Sequence, residues 1–170
     1  LADVSYREDS GMHLICEDLN TIFADPNPLD TLRFTFISTN IYIHHHLNSD
    51  SFYVSADSNF FGLGNMVVIA HDTLGLMCRD TFKITITNLN DPPVISGLPD
   101  TVTFEADTSA TLDIWSYVED PDIADSLLHY LFEPTATALV ALYDSASGEL
   151  TISSLANTNY SAPIYMTVTD

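Results

Sequence analysis

The chain has 170 residues, 46% of them hydrophobic, with a mean hydropathy of +0.13, which is enough apolar material for one or two packed cores and excludes a disordered segment. It carries 24 acidic against 4 basic residues, a net charge of −20 that repels nucleic acid and anionic lipid. Apolar runs of roughly 18 residues are absent, so no membrane-inserted helix is expected, and the chain does not open on the basic-then-apolar pattern of a secretory leader.

The expected elements are strands. Two-residue alternation of apolar and polar side chains, the mark of a strand with one face on a core and one in water, recurs along the chain. The first half has it at residues 32–36, 51–55, 66–70 and 82–87, the last reading Phe82, Ile84 and Ile86 on one face. In the second half it marks residues 101–104, 110–114, 127–132, 149–153 and 164–169. Asp144 to Gly148 separates Leu142-Tyr143 from Leu150-Thr151-Ile152 and reads as a hairpin in which Gly148 takes the positive-φ position. No window sustains a helical stripe. Short strands at this density, about seven in each half, argue an all-β chain of two tandem immunoglobulin-like β-sandwiches.

The halves resemble one another in order. Leu1, Asp3, Tyr6, Glu8 and Asp9-Ser10 align with Leu98, Asp100, Phe104, Glu105 and Asp107-Thr108, and Asp25-Pro26-Asn27 with Asp120-Pro121-Asp122. Further on, Asn59-Phe60 aligns with Asn159-Tyr160, and the run Met66 to Asp72 with Ile164 to Asp170. Such an ordered match is the signature of duplicated domains. Between the copies, Asn88-Leu89-Asn90-Asp91-Pro92-Pro93 is a stiff linker, because two prolines fix φ and remove backbone donors. The expected domains are residues 1–90 and 91–170. Only the second copy has an opening segment, Pro92 to Gly97, and only the first has a closing one, Asp80 to Thr87. Each sandwich is therefore expected to be incomplete, the first without its opening strand and the second without its closing strand. A window from a longer array accounts for this; exchange of a strand with a neighbouring chain is the alternative.

Charge follows the same division. Residues 1–90 hold eleven carboxylates and all four basic residues, Arg7, Arg33, Arg79 and Lys83, whereas residues 91–170 hold thirteen carboxylates and no base. Self-repulsion of that size calls for bound cations, high salt or wide spacing.

The motif with the most chemical content is Asp-Pro-[Asp/Asn]-x-x-Asp, present as Asp25, Asn27, Asp30 and again as Asp120, Asp122, Asp125. Oxygens two residues apart can converge on one side of such a loop, but calcium takes about six to eight oxygen ligands, more than one loop supplies. Further donors stand at Glu8 and Glu105, at Asp72 and Asp170, and in the linker at Asn88, Asn90 and Asp91.

On these segments, together with Ala70-His71-Asp72, the chain resembles cadherin-type repeats, and more closely the cadherin-like, immunoglobulin-like tandem repeats of bacterial surface and adhesin proteins. The resemblance implies calcium between consecutive domains, held here by Glu8, Asn88, Asn90, Asp91, Asp120, Asp122 and Asp170. It also implies that Asp25, Asn27, Asp30 and Asp72 face a preceding repeat. Asn88 stands where cadherins have Asp, Pro92 where they have Asn, and there is no Leu-Asp-Arg-Glu segment, so the implied site is short of carboxylates. Read without the resemblance, the same residues are turn and linker chemistry.

The implied function is a non-catalytic structural or adhesive repeat, a spacer or stalk at the cell surface. Its partners would be neighbouring repeats of the same chain and other cell-surface proteins or glycans. The alternative is a carbohydrate- or ligand-binding module using Tyr42, Phe60, Phe61 or Tyr160; a third reading, an acidic surface for salt tolerance, needs no site at all. His44 and His46 share a strand face but fall short of a zinc ligand set, which favours a solvated strand or loop. Cys16 and Cys78 occur in the first copy alone and so are not a framework of the repeat; their pairing stays open. Trp115 reads as a core or core-edge aromatic. No nucleophile elbow, phosphate loop or zinc-protease motif points to an enzyme.

Overall fold

In the computed structural model residues 1–27, 29–155 and 161–170 are described. They form two compact units, Leu1–Leu89 and Asn90–Asp170.

The first unit contains β1 (Val4–Arg7), β2 (His13–Cys16), β3 (Arg33–Ser38), β4 (Ile43–Asn48), β5 (Ser51–Ala56), β6 (Gly62–His71) and β7 (Met77–Thr87). One sheet has the order β1-β7-β6-β3 and the other β2-β5-β4, with β1 parallel to β7 and the remaining pairs antiparallel. The two sheets face one another through their alternating apolar residues. Met66, Val68, Phe82, Ile84 and Ile86 meet Ile43, Phe52 and Val54, all at most 3% exposed. Phe52 sets its ring edge-on to Phe82 across the interior, centroids 6.2 Å apart. Leu19 plugs one end from a short 3₁₀ turn, Leu19–Thr21, whose first turn is capped by the Asp18 carboxylate.

The second unit contains β8 (Val94–Ile95), β9 (Ser109–Asp113), β10 (Val118–Glu119), β11 (His129–Pro134), β12 (Leu139–Asp144), β13 (Glu149–Ser154) and β14 (Ile164–Thr169). Its sheets are β12-β13-β9, β11-β14 and the short pair β10-β8. Ile114, Val118, Leu128, Leu150 and Ile152 form the buried centre. Gly148 does take a left-handed conformation, φ 74°, and a Cβ there would lie 2.4 Å from the Trp115 ring, so the hairpin tip and the tryptophan pack as one piece.

The two units are β-sandwiches built to one plan. Arg33↔His71 and Ser38↔Met66 in the β3–β6 pair match His129↔Thr169 and Pro134↔Ile164 in the β11–β14 pair. Met66–His71 therefore occupies the place of Ile164–Thr169, as the internal alignment implies. The alignment slips at the start of the copies. Asp9 and Asp107 are both left-handed, with φ of 55° and 61°, and the hydroxyls of Ser10 and Thr108 bond the carbonyls of Arg7 and Glu105. Glu105 thus takes the place of Arg7 and is exposed, while Glu8 is only 2% exposed. One residue of slip moves a side chain to the opposite face.

One other expectation changes. Residues 101–104 form no strand, because no described strand of the second unit lies beside them as β7 lies beside β1. The triple histidine is exposed on strand β4, in keeping with the expected solvated strand or loop, and Cys78 lies within β7. Cys16 and Cys78 are free thiols. Trp115 sits in a 3₁₀ turn, partly buried.

Candidate metal centre

The loop after the first 3₁₀ turn is shaped by its own carboxylates. Asp25 Oδ1 accepts the Asn27 N–H at 2.7 Å, Asn27 Oδ1 accepts the Leu29 N–H at 3.3 Å, and the Asp30 N–H donates to the Asn27 carbonyl at 3.1 Å. These are side-chain mimics of backbone turns, which Asp and Asn form because their oxygens reach two residues ahead. Across from it, the turn between β6 and β7 is held by Asp72, whose Oδ1 accepts the N–H groups of Leu74 at 2.9 Å and Leu76 at 2.7 Å. Thr73 joins the two loops by donating its hydroxyl to Asp30 Oδ1 at 2.8 Å.

The result is that one carboxylate oxygen each from Asp25, Asp30 and Asp72 lie within 4.8 Å of one another. No other group of three or more carboxylate, histidine or cysteine ligands closes to that distance among the described residues. Three hard anionic oxygens so placed fit a divalent cation such as calcium, and among the described residues no Lys or Arg forms an ion pair with them. Asn27 shapes the loop and is not one of the three. Thr73 went unrecognised in the sequence, although its position directly after Asp72 was the available signal.

In the second unit the corresponding residues are arranged differently. Asp120 Oδ1 accepts the N–H groups of Asp122 at 2.8 Å and Ile123 at 2.9 Å, and its Oδ2 is buried with no hydrogen-bond partner. Asp122 Oδ2 accepts the Asp91 N–H at 2.6 Å, and the Asn90 side-chain amide donates to the Asp170 carboxylate. A buried carboxylate oxygen without a donor is costly, so the orphan on Asp120 also suits a cation. Asp120, Asp122 and Asp170 nevertheless do not converge as Asp25, Asp30 and Asp72 do.

Glu8 belongs to the first unit and ties the ends of that sandwich together. Its N–H donates to the Thr87 carbonyl at 3.0 Å and its Oε1 accepts the Leu89 N–H at 2.7 Å, beside the exposed Asn88.

Tyr42 stacks on Phe60 at 5.1 Å, and Phe60 packs against the core of the first unit; Phe61 is half exposed, and Tyr160 and Asn159 lie outside the described residues. His44 and His46 point the same way from β4, one bonded to Asp57 at 2.6 Å and the other to Ser55 at 3.0 Å. His45 stacks on Phe36 at 4.7 Å, and burial, with the neighbouring His46 and His44, lowers its pKa.

No protein-family model and no curated protein sequence matches the chain. Among solved structures, it is similar to the protocadherin GammaB4 extracellular domain at 16% identity and a TM-score of 0.42, covering 82% of this chain and 24% of that one. It is similar to human mucin-like protocadherin EC1-2 at 11% identity and a TM-score of 0.40, covering 93% and 94%. A chimeric titin Z1Z2 gives 8% identity and a TM-score of 0.33 over 100% of this chain and 86% of that one. The fold assignment stands on the strand order and registers of the chain itself: all-β, in immunoglobulin-like sandwiches.

Proposed function

We propose that the chain is a pair of tandem, non-catalytic repeats of an extracellular protein, serving adhesion as a spacer or stalk, with calcium bound at its acidic loop ends. The observation that carries this reading is the meeting of Asp25, Asp30 and Asp72 within 4.8 Å at one end of the first unit. Asp25, Asp30 and Asp72 would hold the ion, and Asp120 is the residue of the second unit that most needs one. The ion supplies charge neutralisation and cross-links loops that otherwise repel. In an array, that neutralisation would stiffen a repeat at the end that meets the one before it. The chain's own contribution is pre-organisation, since Thr73 and the turn bonds on Asp25 and Asp72 already aim the oxygens.

The test is thermal unfolding in excess EDTA against millimolar Ca²⁺ at constant ionic strength. Binding to the folded state alone stabilises by mass action, about 2.7 kcal/mol at a hundredfold excess over Kd. The rise should shrink in Asp72→Asn and, if the second unit also binds, in Asp120→Asn. An unchanged midpoint in the parent chain sinks the calcium reading and leaves an acidic spacer.

A further inference from the structure

The triple histidine plays no part in the carboxylate reading, and the β4–β5 hairpin decides what it can do. The two strands are joined by Ser49-Asp50 alone, with Ser49 left-handed at φ 55°, and so short a connection fixes their register. That register sets His44 opposite Ser55, His45 opposite Val54 and His46 opposite Tyr53. Side chains alternate along a strand, so His45 follows the buried Ile43 and Val54 inward and stacks on Phe36, while His44 and His46 leave the opposite, solvated face. On that outer face both rings reach across to the neighbouring strand. His44 Nε2 lies 2.6 Å from Asp57 Oδ1, and His46 Nε2 lies 3.0 Å from Ser55 Oγ. Asp57 is held just beyond β5 by its N–H to the Tyr42 carbonyl at 3.0 Å. The side chains of His44 and Asp57 are 45% and 53% exposed, so ions in solution reach them.

We infer that His44 and His46 form a two-imidazole chelate site for a borderline divalent metal ion of the copper(II) and nickel(II) class, with Asp57 as the carboxylate that orients His44. Metal-binding imidazoles are commonly held by a carboxylate on the ring nitrogen turned away from the metal, and Asp57 on Nε2 leaves Nδ1 of His44 for the ion. The Ser55 hydroxyl bonded to His46 is a neutral partner that a cation displaces. Two imidazoles fall short of the closed four-ligand set of structural zinc, whereas tetragonal copper or nickel takes two nitrogens with water oxygens in its remaining positions. Calcium prefers oxygen donors, so the chemistry of the ligands separates this site from the Asp25, Asp30 and Asp72 loops. The net charge of −20 draws cations to the surface in general, and the strand face selects where one with an affinity for nitrogen stays.

The inference is independent of the calcium reading, and its test is run in millimolar Ca²⁺. Ni²⁺ is titrated by calorimetry into the 170-residue chain and into single variants. Saturable binding of one ion is expected, weakened about a hundredfold in His44→Gln and in His46→Gln, because either change turns a chelate into a single bond. His45→Gln, on the other face of the same strand, should leave the affinity within about twofold. Asp57→Asn should weaken binding about tenfold, the usual cost of losing an outer partner of a ligating imidazole. Its unfolding midpoint in EDTA should stay unchanged, which separates orientation of His44 from support of the fold. The same midpoint checks that each histidine variant is folded. Absence of saturable Ni²⁺ binding in the parent chain overturns the site. So does a loss in His45→Gln equal to that in His44→Gln, or binding that Asp72→Asn or Cys78→Ser abolishes while both outer histidine variants retain it.

Discussion

The two units place the same framework in two states of completion. Around β7 the first unit buries eleven core residues, while the second, with no described strand between β14 and residues 101–105, buries five among those described. Three of the first unit's eleven, Phe82, Ile84 and Ile86, come from β7 itself, because a sandwich core is closed by the strands on its edges as much as by those at its centre. Sequence similarity between repeats therefore does not carry equal packing with it.

The largest test of that contrast is truncation of matched core positions. Met66→Ala should cost the first unit about 2–5 kcal/mol, since Met66 is 0% exposed; Ile164→Ala in the second should cost about 1–2 kcal/mol, because it is only partly buried. Denaturant unfolding with a separate probe in each unit reads both, and equal losses would break the contrast. Next is Gly148→Ala, which combines a left-handed φ with a clash against Trp115 and should cost the second unit about 2–4 kcal/mol while leaving the first unit's transition in place. Glu8→Ala should follow at about 1–3 kcal/mol, confined to the first unit, because it strips the Leu89 N–H of its acceptor; Glu105→Ala, at an exposed position, should change little.

The smallest effect is on pH. Burial lowers the pKa of His45, so the folded state favours the neutral ring. The stability this group contributes is present above its ordinary pKa of about 6.5 and is lost as pH falls through the lower folded value. NMR titration should find His45 titrating below the ordinary imidazole value of about 6.5, and His45→Gln should flatten the acid limb of the first unit's stability. If His45 instead titrates at or above that value, its stacking on Phe36 does not desolvate it.

Much of the fold was legible because strands announce themselves by alternation: Phe82, Ile84 and Ile86 all face the core they were expected to face. The strand β4 was obscured by His44-His45-His46, whose polarity hides an alternation that only Ile43 anchors. For the candidate site, Asp25, Asp30 and Asp72 could be named from the repeated motif, but their meeting within 4.8 Å could not. It depends on two loops separated by forty-odd residues in sequence and brought together by the β3–β6 pairing. Glu8 and Glu105 teach the converse, since identical residues near matching positions were one step out of register and ended on opposite faces.

By itself, the amino-acid sequence determined the class of the molecule: an acidic, all-β chain in two copies of one plan, with carboxylates gathered in Asp-Pro loops. Those properties reside in periodicity, composition and order, which are local or additive. Tertiary structure alone decided which carboxylates converge, and that Glu8 is buried while Glu105 is not. Those depend on strand register, and a step of one residue changes which groups can reach each other.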